Sequence, residues 1–287
     1  MCVTALPAQN AERPPILSVR TDLVILPVTV VDRKGTFVTG LRQDDFTVYD
    51  NGEPQAIRFF TNEDVPATIG LVIDRSASMR GRGEQIAAAL TSFATLAHPL
   101  DEYFIVNFNE RVWLGLPSSD TFTGDRNLLR AAIWSTPAAG MSALYDGVDR
   151  ALDHLQLGTR DRKALIVLSD GGDNASSRSL EDVIERARRS DAAIYSVGLF
   201  DRDNRDARPR VLKKLARETG ADTFNPVRAD DISAAFIQIG RELRSGYTIG
   251  FIPPDTAKGF RSIRVVAKRG EGRELTVRTR AGYYAQR

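Results

Sequence analysis

A short polar segment directly after a predicted buried strand carries the residues of this chain best suited to chemistry. Asp74, Ser76 and Ser78 follow the apolar run 69–73 and alternate with Arg75 and Ala77. A carboxylate and two hydroxyls at alternate positions of a loop can all face one point, and hard oxygen ligands suit a divalent cation such as Mg²⁺. The segment therefore predicts a metal site.

Two later segments supply further oxygen ligands. Ser142 precedes a helical pattern at 144–155, and a second apolar run, 164–168, ends in Ser169 and Asp170. Parallel strands of an α/β sheet bring their carboxyl ends to one edge, where ligands bind. The sequence therefore predicts a single site made of Asp74, Ser76, Ser78, Ser142 and Asp170.

In this order the three segments resemble the metal-ion-dependent adhesion site of the von Willebrand factor type A family. That site has the pattern Asp-x-Ser-x-Ser, then a Thr, then an Asp. The resemblance covers residues 67–244, and Ser142 departs from it by keeping the hydroxyl but lacking the methyl group. It implies that the five residues hold Mg²⁺, with Mn²⁺ or Ca²⁺ as alternatives, and that a protein partner supplies an Asp or Glu to the metal.

The spacing at which hydrophobic residues recur changes twice along the chain. Apolar and aromatic runs at 23–31, 46–49 and 57–60 predict short antiparallel strands. From Pro66 onward, buried strands alternate with amphipathic helices, which predicts an α/β fold with a doubly wound, mainly parallel sheet. Five helices are predicted, at 84–97, 128–134, 144–155, 180–189 and 232–243, and Ser179 with Asp182 predicts a capping box at the fourth.

Beyond residue 245 hydrophobic residues again recur at every second position, which predicts a second set of strands. Neither flank is long enough to close a core alone, so we expect both to form one small β-sandwich beside the α/β domain. The predicted organisation is a disordered end or signal-peptide remnant at 1–15, an N-terminal β segment at 16–64, a von Willebrand A domain at 65–244, and a C-terminal β segment at 245–287 that pairs with 16–64.

Composition narrows the class of protein. The 287 residues are 42% hydrophobic and 26% charged, as in an ordinary globular protein. A formal charge of +2 gives no overall reason to expect nucleic acid as a partner. A single cysteine, Cys2, excludes an intramolecular disulfide and a multi-cysteine zinc site. The sequence contains no run of about 20 apolar residues, so no transmembrane helix is predicted.

Several residues near the predicted site have two interpretations. Arg75 is expected at the solvent rim, either simply solvated or steering an acidic partner. Asp173 and Asn174 either support the metal residues through hydrogen bonds or belong to a plain surface loop. Asp146 either supports the loop from behind or lies on a helix face. The basic residues of the C-terminal flank form either the solvent-exposed face of a sheet or a patch that binds anions. These residues are Arg261, Arg264, Lys268, Arg269, Arg273, Arg278, Arg280 and Arg287.

Enzymatic functions find little support in the motifs. His98 and His154 have no motif around a serine nucleophile, and no Gly-x-Ser-x-Gly occurs. A haloacid-dehalogenase-type phosphatase would need a second acid where Ser76 stands. There is no phosphate-binding Gly-rich loop ending in Lys-Ser/Thr and no dinucleotide Gly-x-Gly-x-x-Gly after a strand.

The sequence thus predicts a non-enzymatic, divalent-cation-dependent protein-binding module of the adhesion type. We expect a monomer that is secreted or located in the periplasm or cell envelope, with no nucleic-acid partner and no transmembrane segment. The alternative is an assembly or scaffold factor that recruits a subunit of a larger complex. A metal-dependent hydrolase is a third and weaker interpretation.

Overall fold

A computed structural model describes residues 23–94, 96–134, 137–200, 206–254, 257–270 and 273–285. The predicted terminal segment 1–15 lies outside the described residues. The strands are β1 Val24–Val31, β2 Phe46–Asp50, β3 Glu53–Gln55, β4 Ile57–Thr61, β5 Ala67–Asp74, β6 Glu102–Phe108, β7 Val112–Leu114, β8 Arg162–Ser169, β9 Ala193–Gly198, β10 Thr223–Phe224, β11 Tyr247–Phe251, β12 Gly259–Arg269, β13 Arg273–Glu274, β14 Thr276–Arg278 and β15 Gly282–Ala285.

The helices are α1 Gly83–Ala94, α2 Arg126–Trp134, α3 Leu144–Leu155, α4 Leu180–Arg189, α5 Pro209–Thr219 and α6 Ala229–Ser245. The predicted bounds of α3 and α4 match, and the other three predicted helices differ by one to three residues at an end. The capping box of α4 is present, since Ser179 Oγ accepts from the Asp182 amide and the Asp182 carboxylate accepts from the Ser179 amide. Helix α5 was not predicted.

A six-stranded sheet with the order β10-β9-β8-β5-β6-β7 forms the centre of the α/β domain. All neighbouring pairs are parallel except β6 with β7. Every residue of β5 is buried, as expected for a central parallel strand covered on both faces. The predicted doubly wound, mainly parallel sheet is confirmed.

The two flanks of the chain pair with each other. β11 from the C-terminal flank lies between β1 and β4 of the N-terminal flank, and β12 pairs with β2. The resulting sheets have the orders β14-β1-β11-β4 and β13-β12-β2-β3, with β15 on β12. Side chains of both flanks share one hydrophobic core that includes Leu26, Val48, Tyr247, Phe251 and Val265. The predicted β-sandwich built from both flanks is therefore confirmed.

The sandwich contacts the α/β domain through the chain that follows β14. The Ala281 amide donates to the Glu218 carbonyl at the end of α5, and Arg280 donates to Asp191 at 2.8 Å and to the carbonyl of Arg188. Gly220, which ends α5 with φ of +79°, lies so close to the backbone of Thr279 and Arg280 that a Cβ atom there would be 2.2 Å from the Thr279 carbonyl carbon. This contact requires glycine.

Candidate metal centre

The predicted site lies at the edge of the central sheet where β5 and β8 end. Asp74 is the last residue of β5, and Asp170 follows β8 directly. The two strands are parallel neighbours with Ile73 opposite Leu168, so Asp74 and Asp170 emerge at the same edge. Both aspartates are almost fully buried.

The hydroxyl groups of the site surround the Asp74 carboxylate. Its Oδ1 accepts from the Ser76 amide at 2.8 Å, which turns the loop so that the Ser76 and Ser78 hydroxyls lie 3.1 Å apart. Its Oδ2 is 3.4 Å from the Ser142 hydroxyl and accepts from Ser169 Oγ at 2.7 Å. The structure thus brings Ser76 and Ser142, from two separate loops, to one carboxylate, with the Ser78 hydroxyl beside that of Ser76.

Ser169 was not predicted to take part. It lies in β8 one position past Leu168, so the parallel register places it beside Asp74 on the neighbouring strand. The residue type gave no signal, because a serine at a strand end is common in turns and caps. Only the pairing register of β5 with β8, which the sequence does not reveal, places the hydroxyl next to the carboxylate.

The loop that carries Ser142 is held by the segment after β8. The Ser142 amide donates to Asn174 Oδ1 at 2.9 Å, and its hydroxyl donates to the Gly172 carbonyl at 3.0 Å. Asp173 accepts from the Tyr145 amide at 2.9 Å at the start of α3. Of the two interpretations of Asp173 and Asn174, the structure thus favours hydrogen-bond support, by Asn174 of Ser142 itself and by Asp173 of the start of α3.

Two further carboxylates brace the same loops. Asp146 accepts from the backbone amides of Ser177 and Arg178, which ties α3 to the segment after β8. Glu110 accepts from the Met141 amide at 3.1 Å. Gly140 makes room for it, because a Cβ atom at this position, where φ is +83°, would be 1.8 Å from Glu110 Oε2. Glu110 had no sequence signal, since its partner is a backbone group on a distant loop.

The prediction that Arg75 lies at the solvent rim is wrong. Arg75 is buried, its Nε donates to Asn107 Oδ1 at 3.0 Å, and its guanidinium also donates to the Ile133 carbonyl of α2. Alternate loop positions do face opposite sides, but the side opposite the serines is covered by β6 and α2 rather than by water. Burial lowers the pKa of Arg75, and the nearby Asp74 charge opposes that shift.

Burial governs the protonation of Asp74. Removal from water raises its pKa to about 6, and the negative charge of Asp170 adds to this effect. Hydrogen bonds from Ser76 and Ser169 act in the opposite direction because they stabilise the carboxylate. A positive charge placed between the two aspartates would favour ionised Asp74.

The donor set fits a hard divalent cation. Among the described residues, no group of three or more His, Cys, Asp or Glu side chains is placed to hold a metal, so a metal here depends on the serines. A serine hydroxyl that donates its hydrogen to Asp74 keeps lone pairs for a cation. Two carboxylates with three or four hydroxyls offer only oxygen, which matches the preference of Mg²⁺, Mn²⁺ and Ca²⁺.

Solved structures with similar folds include two proteins described as von Willebrand factor domains and a bacterial minor pilin. A von Willebrand factor type A protein from Catenulispora acidiphila superposes with a TM-score of 0.54 at 14% identity, over 94% of this chain and 75% of that one. The von Willebrand domain of the type V pilus tip protein Mfa5 from Porphyromonas gingivalis gives 0.52 at 16%, over 62% and 95%. The minor pilin PilB from Streptococcus sanguinis gives 0.51 at 14%, over 64% and 63%.

No curated protein matches this sequence. No helix within the described residues is long and apolar enough to cross a membrane. The family model for the von Willebrand factor type A domain matches residues 68–238, which is more than half of the chain. This range contains β8, all of β5 except Ala67, and all five predicted metal residues. The chain therefore belongs to the von Willebrand factor type A family.

Proposed function

We propose that this protein is a non-enzymatic binding module that holds a divalent cation, Mg²⁺ in the first place, and captures an acidic side chain of a protein partner. The observation that carries the proposal is the convergence of serine hydroxyls from two loops on the Asp74 carboxylate beside Asp170. Asp74, Ser76, Ser78, Ser142 and Asp170 would hold the cation. The bound cation would supply a positive charge at the sheet edge, to which a carboxylate of the partner could bind.

The residues around the site suit docking of a partner. Ser78 is only partly buried, and Met141, next to Ser142, is exposed by 53%. Glu110 and Asn174 brace the loop that carries Met141 and Ser142, and the Ala77 amide next to Ser78 donates to the Gly140 carbonyl of that loop at 3.0 Å, so the oxygens are pre-positioned rather than gathered on binding. A rigid, partly open cluster of neutral hydroxyls and two acids leaves a bound cation electrophilic.

Metal binding is tested by titration calorimetry of the purified chain with Mg²⁺, Mn²⁺ and Ca²⁺. We expect saturable binding to the unaltered protein and none to Asp74→Ala. Asp161→Ala is the matched control, because Asp161 is an exposed aspartate just before β8, at the opposite edge of the sheet. Equal binding by all three proteins would show that the predicted residues do not hold the metal.

The second part of the proposal concerns the protein partner and the cellular location. The solved relatives include a pilus tip protein and a minor pilin, so we propose a location in the cell envelope or outside the cell. The test is capture from envelope and cytosolic fractions in Mg²⁺ and in EDTA. A metal-dependent envelope partner supports adhesion, whereas a metal-dependent cytosolic subunit of a larger complex supports the assembly function.

A further inference from the structure

A second candidate binding site lies in a cleft between the α/β domain and the β-sandwich. One wall is helix α5 with the segment that follows it, and the other is β12 with the end of β14 and the residues after it. The cleft has a volume of about 710 Å³. Its lining contains one acidic residue, Asp222, and six basic residues: Arg210, Lys213, Arg217, Arg264, Arg278 and Arg280.

Acidic neighbours already neutralise half of these basic side chains. Arg278 pairs with Asp222 and Glu242, Arg280 pairs with Asp191, and Arg217 pairs with Glu218. In the part of the chain that the structure describes, the remaining three form no ion pair, although Arg264 lies 3.9 Å above the ring of Tyr49. The positive charges available to a ligand are therefore those of Arg210, Lys213 and Arg264.

Helix α5 presents its basic residues in a regular row. Arg210, Lys213 and Arg217 are spaced by three and four residues, so they share one face, while Leu212 and Leu215 are buried on the other. Along the axis they are about 4.5 and about 6 Å apart. Arg210 and Lys213, the two members of this row without an ion pair, have long side chains that can spread to two carboxylates about 6.6 Å apart, which is the spacing of acidic residues at every second position of an extended peptide.

The other lining residues define the opposite face of such a peptide. Ala216, Ala221, Ile263, Val265 and Val277 give the cleft an apolar component. None of the described residues that line it is aromatic, so it lacks the stacking platforms by which proteins hold single-stranded nucleic acid. We propose that this cleft binds an extended segment of a protein partner in which acidic residues alternate with apolar ones.

The test uses a fluorescently labelled octapeptide of alternating glutamate and valine with the full chain, in EDTA. Fluorescence anisotropy is expected to show saturable binding that weakens between about 50 and about 500 mM NaCl, because the contacts are between exposed charges. Asp74→Ala should bind as tightly as the unaltered protein. Loss of metal binding thus leaves this inference untouched, and the two proposals fail independently.

Neighbouring lysines of one helix supply a matched pair of variants. Lys213→Gln should weaken binding by about three- to fivefold, the effect of one exposed ion contact, and Arg210→Gln with Lys213→Gln should weaken it further. Lys214→Gln removes the same charge from the same helix, but Lys214 lies outside the cleft lining and pairs with Glu181. It should leave the affinity within about twofold.

Four results would overturn the proposal. The first is the absence of saturable binding, and the second is an equal loss of affinity in Lys213→Gln and Lys214→Gln. The third is that polyphosphate, or a peptide of the same composition with its glutamates grouped together and its valines grouped together, binds as tightly as the alternating peptide. The fourth is self-association of the chain in sedimentation experiments that the peptide reverses. This result would mean that the cleft is occupied by a second copy of the chain. Circular dichroism confirms that each variant is folded before it is compared.

Discussion

The Asp74 carboxylate couples the proposed metal site to pH. Its pKa in the folded protein is about 6, against about 3.8 in the unfolded chain, so the folded state binds the proton more tightly. The unfolding free energy of the metal-free protein therefore falls as pH rises from about 4 to about 6, by on the order of 3 kcal/mol. Asp74→Asn, which stays neutral, should lack this contribution.

Urea unfolding in EDTA at pH values from about 4 to about 7 measures this effect. Near pH 4 the two proteins should have similar stability, and near pH 7 Asp74→Asn should be the more stable. Added Mg²⁺ should reverse the order above pH 6, because a cation binds the ionised carboxylate. A constant stability difference across the pH range would show that burial of Asp74 does not control its protonation.

Ser142 tests whether the hydroxyl or the whole side chain matters. Ser142→Thr keeps the hydroxyl that lies near Asp74 and donates to the Gly172 carbonyl, so Mg²⁺ affinity in calorimetry should be retained. Ser142→Ala should lower it by at least about tenfold, as loss of a ligand or of its immediate support does. Similar affinities for the alanine and threonine variants would place the metal elsewhere.

Arg75 contributes to stability rather than to partner recognition. Arg75→Met removes the guanidinium and leaves the Asn107 and Ile133 oxygens without their donor in a buried place, which should cost about 2 to 4 kcal/mol in urea unfolding. Arg80→Met is the control, because Arg80 is exposed and its guanidinium donates to the Ala138 carbonyl at 3.3 Å. A loss no larger than that of the control would contradict a structural role for Arg75.

At the scale of elements, the end of α5 is the most constrained junction. Gly220→Ala would place a Cβ atom against the backbone of Thr279 and Arg280, and backbone cannot move aside as a flexible side chain can. We expect a loss of about 2 to 4 kcal/mol in thermal or urea unfolding. The matched control is Gly35→Ala, since Gly35 has the same φ of +79° and nothing within 4 Å of its Cβ position.

The Gly35 variant measures the cost of the left-handed backbone alone, about 1 kcal/mol. The difference between the two variants then reports the contact between α5 and the sandwich. Equal losses would mean that this contact is loose in solution.

Local patterns predicted most of the elements and the place of the candidate metal residues at the sheet edge, because each signal lies within a few residues of sequence. Asp74 and Asp170 each follow an apolar run, and α4 begins at a capping box. Helix α5 also has local signals, with Pro209 at its first position and Gly220 in the left-handed conformation at its end. Nevertheless, no helix is predicted here from the sequence, although Leu212 and Leu215 have helical spacing.

What the sequence could not predict depends on which elements pack together. Ser169 meets Asp74 only through the register of β5 with β8. Arg75 is buried only because α2 and β6 cover one side of the metal loop. The six basic side chains of the cleft come from α5, β12, β14 and Arg280, and no local pattern connects them.

At the scale of the whole molecule, a buried ionic cluster connects the domain to the sandwich. Glu242 of α6 accepts from Arg278 of β14 at 2.7 Å and from Thr29 of β1 at 3.0 Å. Burial raises the pKa of Glu242, and the charge of Arg278 opposes that shift. Arg244, two residues later, pairs with Asp64 at 2.9 Å. The last helix of the α/β domain is therefore attached to both flanks.

This attachment predicts that the domain and the sandwich unfold together. Hydrogen exchange followed by mass spectrometry in increasing urea should show β5 and β8 losing protection at the same concentration as β2 and β12. Glu242→Ala leaves the half-buried Arg278 with Asp222 as its remaining carboxylate partner among the described residues, and should cost about 3 kcal/mol and separate the two transitions. The control is Glu185→Ala, which removes an exposed pair with Arg189 within α4. If the sandwich of the unaltered protein loses protection well before the α/β sheet, the cluster does not join the two parts into one cooperative unit.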